Sequence, residues 1–141
     1  MSFENIMGIA GQAMDAQTVR INAAVSNIAN ADTQAGSPDD AFKAKRVIFK
    51  TILASEVNQK RGDTVGGVRV AEIAEDMAPA PAVYEPNHPD ADANGYVYTS
   101  NVEVMSEMVD ITAASRSYES AVEASNTAKR LMMRTIELLK K

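Results

Sequence analysis

Two heptad ladders, one at each end of the chain, constrain the fold more than any other feature. Toward the C-terminus, Met108, Ile111, Ser115, Tyr118, Val122, Ser125, Lys129, Met132, Ile136 and Leu139 follow one another at alternating steps of 3 and 4. That spacing keeps one stripe on one side of a supercoiling helix. A shorter ladder of Met7, Gly11, Met14, Thr18, Ile21, Val25 and Ile28 runs through the N-terminal segment. All 5 prolines lie between the two ladders, so the helix-compatible sequence is at the ends and the helix-breaking sequence is in the middle. Such a chain is built to pair its termini, with each other or with neighbouring chains.

Composition narrows the function. A chain of 141 residues is one domain's worth of material, but 5% aromatic content and no Trp make for a thin compact core. The net charge of −5 opposes nucleic-acid and anionic-membrane partners. With 0 cysteines there is neither a disulfide framework nor thiolate chemistry. The apolar runs are too short for a transmembrane span. The N-terminal stretch lacks the basic region of a secretory signal, its first cation being Arg20, so export is expected to use another route.

Three segments follow: 1–31 as an N-terminal helix, 32–100 as a small β/loop middle, and 101–141 as a C-terminal helix. Asn27, Asn30 and Asp32 weaken the first helix, and Gly36–Ser37–Pro38 closes the segment. In the middle, Phe42 to Ile52, Val68 to Ile73, Val83–Tyr84 and Tyr96–Tyr98 are the strand candidates. Ser100 and Glu103 fit the S-x-x-E capping box at the start of the C-terminal helix. Ala114, Ala121 and Ala128 recur every 7 residues beside the ladder, a shoulder small enough for another helix to approach closely.

Candidate chemistry is sparse. His88 is the only histidine and there is no cysteine, so a catalytic triad or multi-histidine metal site has no residues to draw on, and His88 reads as a turn residue between Pro86 and Pro89. Asp90, Asp92, Asn94 and Gly95 match the first half of an EF-hand loop. The twelfth position is Asn101 rather than a bidentate Glu, so an Asx-rich turn is expected instead. Gly62 to Gly67 is not a phosphate loop, because no Gly-Lys-Ser/Thr follows. Lys43, Lys45, Arg46 and Lys50 form a basic cluster, read as a solvated strand face or an inter-subunit contact. No catalytic residue, metal or cofactor is expected.

The motifs resemble a family. Ser26-Asn27-Ile28-Ala29-Asn30-Ala31-Asp32-Thr33, followed by Phe42-Lys43-Ala44-Lys45, is similar to the N-terminal motif shared by the axial rod and hook proteins of the bacterial flagellum. Tyr84 to Val97, Asn101-Val102-Glu103, Glu107-Met108 and Ala114-Ser115-Arg116-Ser117-Tyr118 extend the resemblance collinearly over nearly the whole chain. Ala121 stands where the family pattern has Asn. The resemblance implies a mainly α fold: long N- and C-terminal helices pairing as an antiparallel coiled coil, with the middle segment packed outside.

It also implies a structural subunit of the proximal rod, within the periplasm, that transmits torque, lines an export channel and is exported without a cleaved signal peptide. The implied partners are other flagellar rod subunits, the rod-to-inner-membrane-ring adaptor and ring proteins, further copies of itself and the flagellar type III export apparatus. Nucleic acid and small-molecule substrates are not expected. Subunit packing is expected at Met7, Met14, Ile21, Val25, Ile28, Met108, Ile111, Tyr118, Val122, Met132, Ile136 and Leu139. The motif itself contributes Asn27, Asn30, Asn101 and Arg116, with Asn27 and Asn30 either ending a helix or bonding to adjacent subunits. A soluble helical adaptor or export chaperone is the rival expectation.

Energetics bear on that choice. Burying a Val, Leu, Ile or Met side chain contributes about 1.5–3 kcal/mol, whereas ordering the backbone costs about 1–2 kcal/mol per residue. With 7 apolar rungs of 10 in one ladder and 5 of 7 in the other, a lone hairpin of helices is marginal. Dilute purified monomer should therefore show far less helix by circular dichroism than the roughly 65 residues assigned to it. A fully helical, cooperatively melting monomer would contradict assembly-coupled ordering.

Overall fold

The computed structural model describes residues 3–53 and 65–140. Gly62, within the rejected phosphate loop, and Lys141 lie outside them. The elements are α1 (Phe3–Ala29), β1 (Gln34–Ala35), β2 (Lys45–Thr51), β3 (Val68–Glu75), β4 (Ala82–Tyr84), β5 (Tyr96–Thr99) and α2 (Val104–Leu139). They divide between two compact units. Among the described residues, one holds 3–19, 48–53, 65–72 and 113–140, the other 20–47 and 73–112.

In the first unit, α1 and α2 lie side by side. A shallow groove there is lined by Phe3 and Ile6 from α1 and by Ser120, Glu123, Ala124, Thr127, Ala128 and Leu131 from α2. The buried residues of this unit's helices are small: Ala10 and Ala16 on α1, and Ala114, Ala121 and Ala128 on α2. The alanine shoulder is thus the buried row, one position away from the ladder. Ser115, Val122 and Ser125 flank it half-buried. Helices whose contact row is alanine approach closely, and a Tyr or Met cannot occupy the middle of such a seam. The ends of β2 and β3 also belong here, where Ile52 donates to Gly67 O (2.8 Å) and accepts from Gly66 N–H (3.0 Å).

In the second unit, β1, β5 and β4 form an antiparallel sheet in that order, with Val83 opposite Val97 and Gln34 opposite Thr99. The alternation of β5 buries Val97 completely and leaves Tyr96 exposed. Pro79 and Pro81 precede β4 and Pro86 follows it, which keeps this edge strand short. Residue β1 had no sequence signal: two residues long, it exists because Thr33 O accepts from Ser100 N–H at 3.2 Å and brings the segment to β5. The four strands read from the sequence do form; β2 starts at Lys45, after Phe42 to Ala44.

The start of α2 differs from the capping-box expectation. The helix begins at Val104, with Glu107 N–H donating to Glu103 O at 3.1 Å. Ser100 Oγ instead accepts from Val102 N–H at 3.1 Å, because its own N–H is held by Thr33 O and the chain stays extended there. α1 ends in tightened i→i+3 turns, Asn30 N–H to Asn27 O (3.1 Å) and Ala31 N–H to Ile28 O (3.2 Å).

The β4–β5 connection is an Asx turn. Asp92 Oδ1 accepts from Asn94 N–H (2.8 Å) and Tyr96 N–H (2.9 Å), and Gly95 takes φ +83°. A Cβ on Gly95 would lie 2.9 Å from the Tyr84 ring, which itself meets Tyr96 edge-on at 5.2 Å. His88 is a turn residue, its Nδ1 accepting from Asp90 N–H at 3.1 Å.

The Tyr96 N–H holds the Asp92 carboxyl below its ordinary pKa of 3.8 against an opposing desolvation effect, and the Asn94 N–H adds to the lowering. A carboxyl lowered in the fold stabilises the turn above its unfolded pKa and loses that effect as pH falls through the folded value. The Asn94 and Tyr96 amides should therefore stay protected from exchange at neutral pH and lose protection in strong acid. In Asp92→Ala they should lose it at every pH, and unchanged protection in that variant would refute the turn's dependence on the carboxylate.

Candidate functional site

Two asparagine side chains hold the root of the β2–β3 hairpin in the second unit. Asn27 sits near the end of α1 and is wholly buried. Its Oδ1 accepts from Lys45 N–H (2.8 Å) and its Nδ2 donates to Lys45 O (3.0 Å), so the amide pairs with one backbone residue as a neighbouring strand would. Asn101, just before α2, does the same one residue away. Its Oδ1 accepts from Ala44 N–H (2.7 Å), and its Nδ2 donates to Asp76 O (3.1 Å) and Ala78 O (3.0 Å). Between them Asp76 N–H donates to Ala44 O at 2.7 Å. Ala44 is fully buried, so its backbone groups would be costly unpaired.

A charge completes the arrangement. Glu107 on α2 is 1% exposed. Its Oε2 accepts from Asn27 Nδ2 at 3.1 Å, and its Oε1 from Arg46 Nη1 at 2.7 Å. Arg46 remains half-exposed and also reaches Asp76 at 3.5 Å, so the buried carboxylate is both paired and hydrogen-bonded. Further along, Arg20 makes a two-point contact with Asp110, at 2.6 and 3.2 Å. As α1 runs from Arg20 to Asn27, its partners on α2 run backward from Asp110 to Glu107. The helices are antiparallel in this unit.

Asn27 is thus more than a helix-ending residue. The Asn27 and Asn101 amides are used within their own chain, and Asn30 Nδ2 turns back to Ser26 O at 2.7 Å. Arg116 is exposed. Of the apolar residues expected at subunit contacts, Met14, Ile21, Ile28, Ile111 and Val122 are half-buried in the single chain. Met7, Val25, Met108, Tyr118, Met132, Ile136 and Leu139 are exposed. Within the basic cluster, Arg46 belongs to the Glu107 site, and Lys45 Nζ lies 5.8 Å from the Phe42 ring centre. Sequence reasoning placed Glu107 in a family-like motif but missed its buried role, for which a charged residue on the heptad row of the three alanines was the signal.

Residues 93–138 match the family described as flagellar basal body rod FlgEFG protein C-terminal. The chain is 46% identical over 138 residues to the flagellar basal-body rod protein FlgC of Salmonella typhimurium (strain LT2), covering 98% of each. It belongs to the FlgC family. The FlgC of Buchnera aphidicola (subsp. Schizaphis graminum) is 39% identical over 140 residues, with 98% of each chain covered. That of Bacillus subtilis (strain 168) is 34% identical over 143 residues, covering 94% of this chain and 95% of its own. As a FlgC-family member the chain is a structural protein of the flagellar basal-body rod, not an enzyme, and it assembles with other flagellar components.

The hairpin root is where truncating a single side chain should be felt most. Asn101→Ala strands the Ala44 N–H and frees two carbonyls, an expected loss of about 1–3 kcal/mol. It should appear as a lower thermal midpoint at a concentration where circular dichroism shows formed helices, and an unchanged midpoint there would contradict the role given to this amide.

Proposed function

We propose that the chain is a proximal-rod subunit, its terminal helices pairing as a coiled coil and assembling with those of neighbours to transmit torque and line an export channel. One observation carries this reading: what the chain buries is small and what it exposes is large. Of the 11 buried apolar residues described, 9 are alanines. Leu131, Met132, Met133, Ile136, Leu138 and Leu139, meanwhile, are all exposed along the last turns of α2. No helix among the described residues is long and apolar enough to cross a membrane. Contacts with other chains would bury these residues, each contributing about 1.5–3 kcal/mol.

The internal seam uses alanine, which leaves the larger ladder residues for neighbours. The half-buried Val122 and Ile111 border both surfaces, and Met7, Val25, Met108, Tyr118, Met132, Ile136 and Leu139 face outward. The neighbours in this reading are further copies of the chain, other rod subunits, and the ring proteins with their adaptor. The rod segment lies in the periplasm and is reached through the type III export apparatus without a cleaved leader. Collinear identity to the rod proteins named FlgC supports this placement.

Val122→Asp tests the reading. It sets a carboxylate beside the alanine row, at an expected cost of about 2–5 kcal/mol per assembled subunit. Rod assembly and swimming should stop while the protein is still exported. Glu123→Lys, one residue away, changes an exposed side chain at the rim of the Phe3–Leu131 groove and loses a 3.3 Å contact with Arg130, and should swim. Normal swimming of the first variant, or equal damage by the second, would overturn the assignment of these faces.

A further inference from the structure

The alanine row that joins the helices has no built-in register. Ala114, Ala121 and Ala128 repeat every 7 residues, and Ala16 and Ala23 are also 7 apart. A slide of one helix past the other by one heptad would set alanine on alanine again. Glu107 interrupts the repeat: it occupies the same row, 7 residues before Ala114, and is 1% exposed.

The amide it meets cannot turn away. Lys45 N–H occupies Asn27 Oδ1 and Lys45 O takes one Nδ2 hydrogen, so the second Nδ2 hydrogen requires an acceptor on α2. Glu107 Oε2 is that acceptor, and Arg46 holds Oε1. A one-heptad slide that brings Ala114 to Asn27 would leave the amide hydrogen unpaired and carry Glu107 past the end of α1 at Ala29, away from Asn27. A single buried polar position of this kind selects register in paired helices where apolar packing does not.

We propose that Glu107, oriented through Asn27 and Lys45, specifies the register of the α1–α2 pair. Arg20 and Asp110 form a second, more exposed pin in the same register, which a test must remove to isolate the first.

The absence of native cysteine makes the test direct. Arg20→Cys is combined with Asp110→Cys to report the native register, or with Ser117→Cys to report the register shifted by one heptad. Each purified full-length chain is treated with a short bismaleimide, at a concentration where circular dichroism shows formed helices. Intramolecular crosslinks are read by mass spectrometry of the monomer band. With Asn27 and Glu107 intact, crosslinking should occur at Cys pairs of positions 20 and 110 and not of 20 and 117. In Asn27→Ala/Glu107→Ala, which removes both polar groups and leaves a continuous alanine row, the 20–117 crosslink should appear at a yield similar to the 20–110 crosslink. Glu107→Gln, which keeps an acceptor for Asn27, should behave as the intact chain. If the double alanine variant crosslinks at 110 alone, or at neither position, Glu107 does not set the register. Because the readout is within one purified chain, it decides the proposal independently of the swimming assays.

Discussion

The pairing of two asparagine amides with the backbone at the root of the β2–β3 hairpin is the interaction on which much else depends. A hairpin leaving a helix pair has, at its base, N–H and C=O groups that no third strand satisfies. Asn27 from α1 and Asn101 from the approach to α2 each supply a donor and an acceptor at the right spacing, for Lys45 in one case and for Ala44 and Asp76 in the other. Side-chain amides do here what a neighbouring strand does in a sheet. Glu107 can be buried only because Asn27 is held in place and Arg46 follows directly on Lys45.

The same economy of bulk shapes the helix pair. Alanine contributes little apolar area, so the seam inside one chain stabilises it weakly, while the residues with most to gain from burial stay outside. For a free-standing protein that distribution would be a liability. In the proposed assembly it would divide the work: the alanine seam sets how closely the helices approach, polar groups can set their register, and the larger residues would serve contacts between chains.

Parts of this structure were legible in the chain itself because their causes are local. Proline and glycine placement separated the helical ends from the β middle, and alternation with β-branched and aromatic residues marked β2 to β5. The Asx turn at Asp92 follows from a carboxylate within reach of the next two free N–H groups. Where local signals competed, they misled. Ser100 carries the pattern of a helix cap, but its N–H is bound to Thr33 O, and the helix begins 4 residues later at Val104.

The sequence by itself determined that the chain has two long helices at its ends and a small β segment between them, since periodicity and breakers act over a few residues. It also carried the motifs that place the chain in the FlgC family. Only the tertiary structure decided which row of each helix is buried, because ladder and alanine shoulder are adjacent heptad positions and the choice turns on how closely two helices approach. It alone gave Asn27 its partners, which lie 18 and 80 residues away at Lys45 and Glu107. The reason is physical: a hydrogen bond across that separation is specified by where the fold brings its donor and acceptor, and nothing in the neighbouring sequence encodes that position.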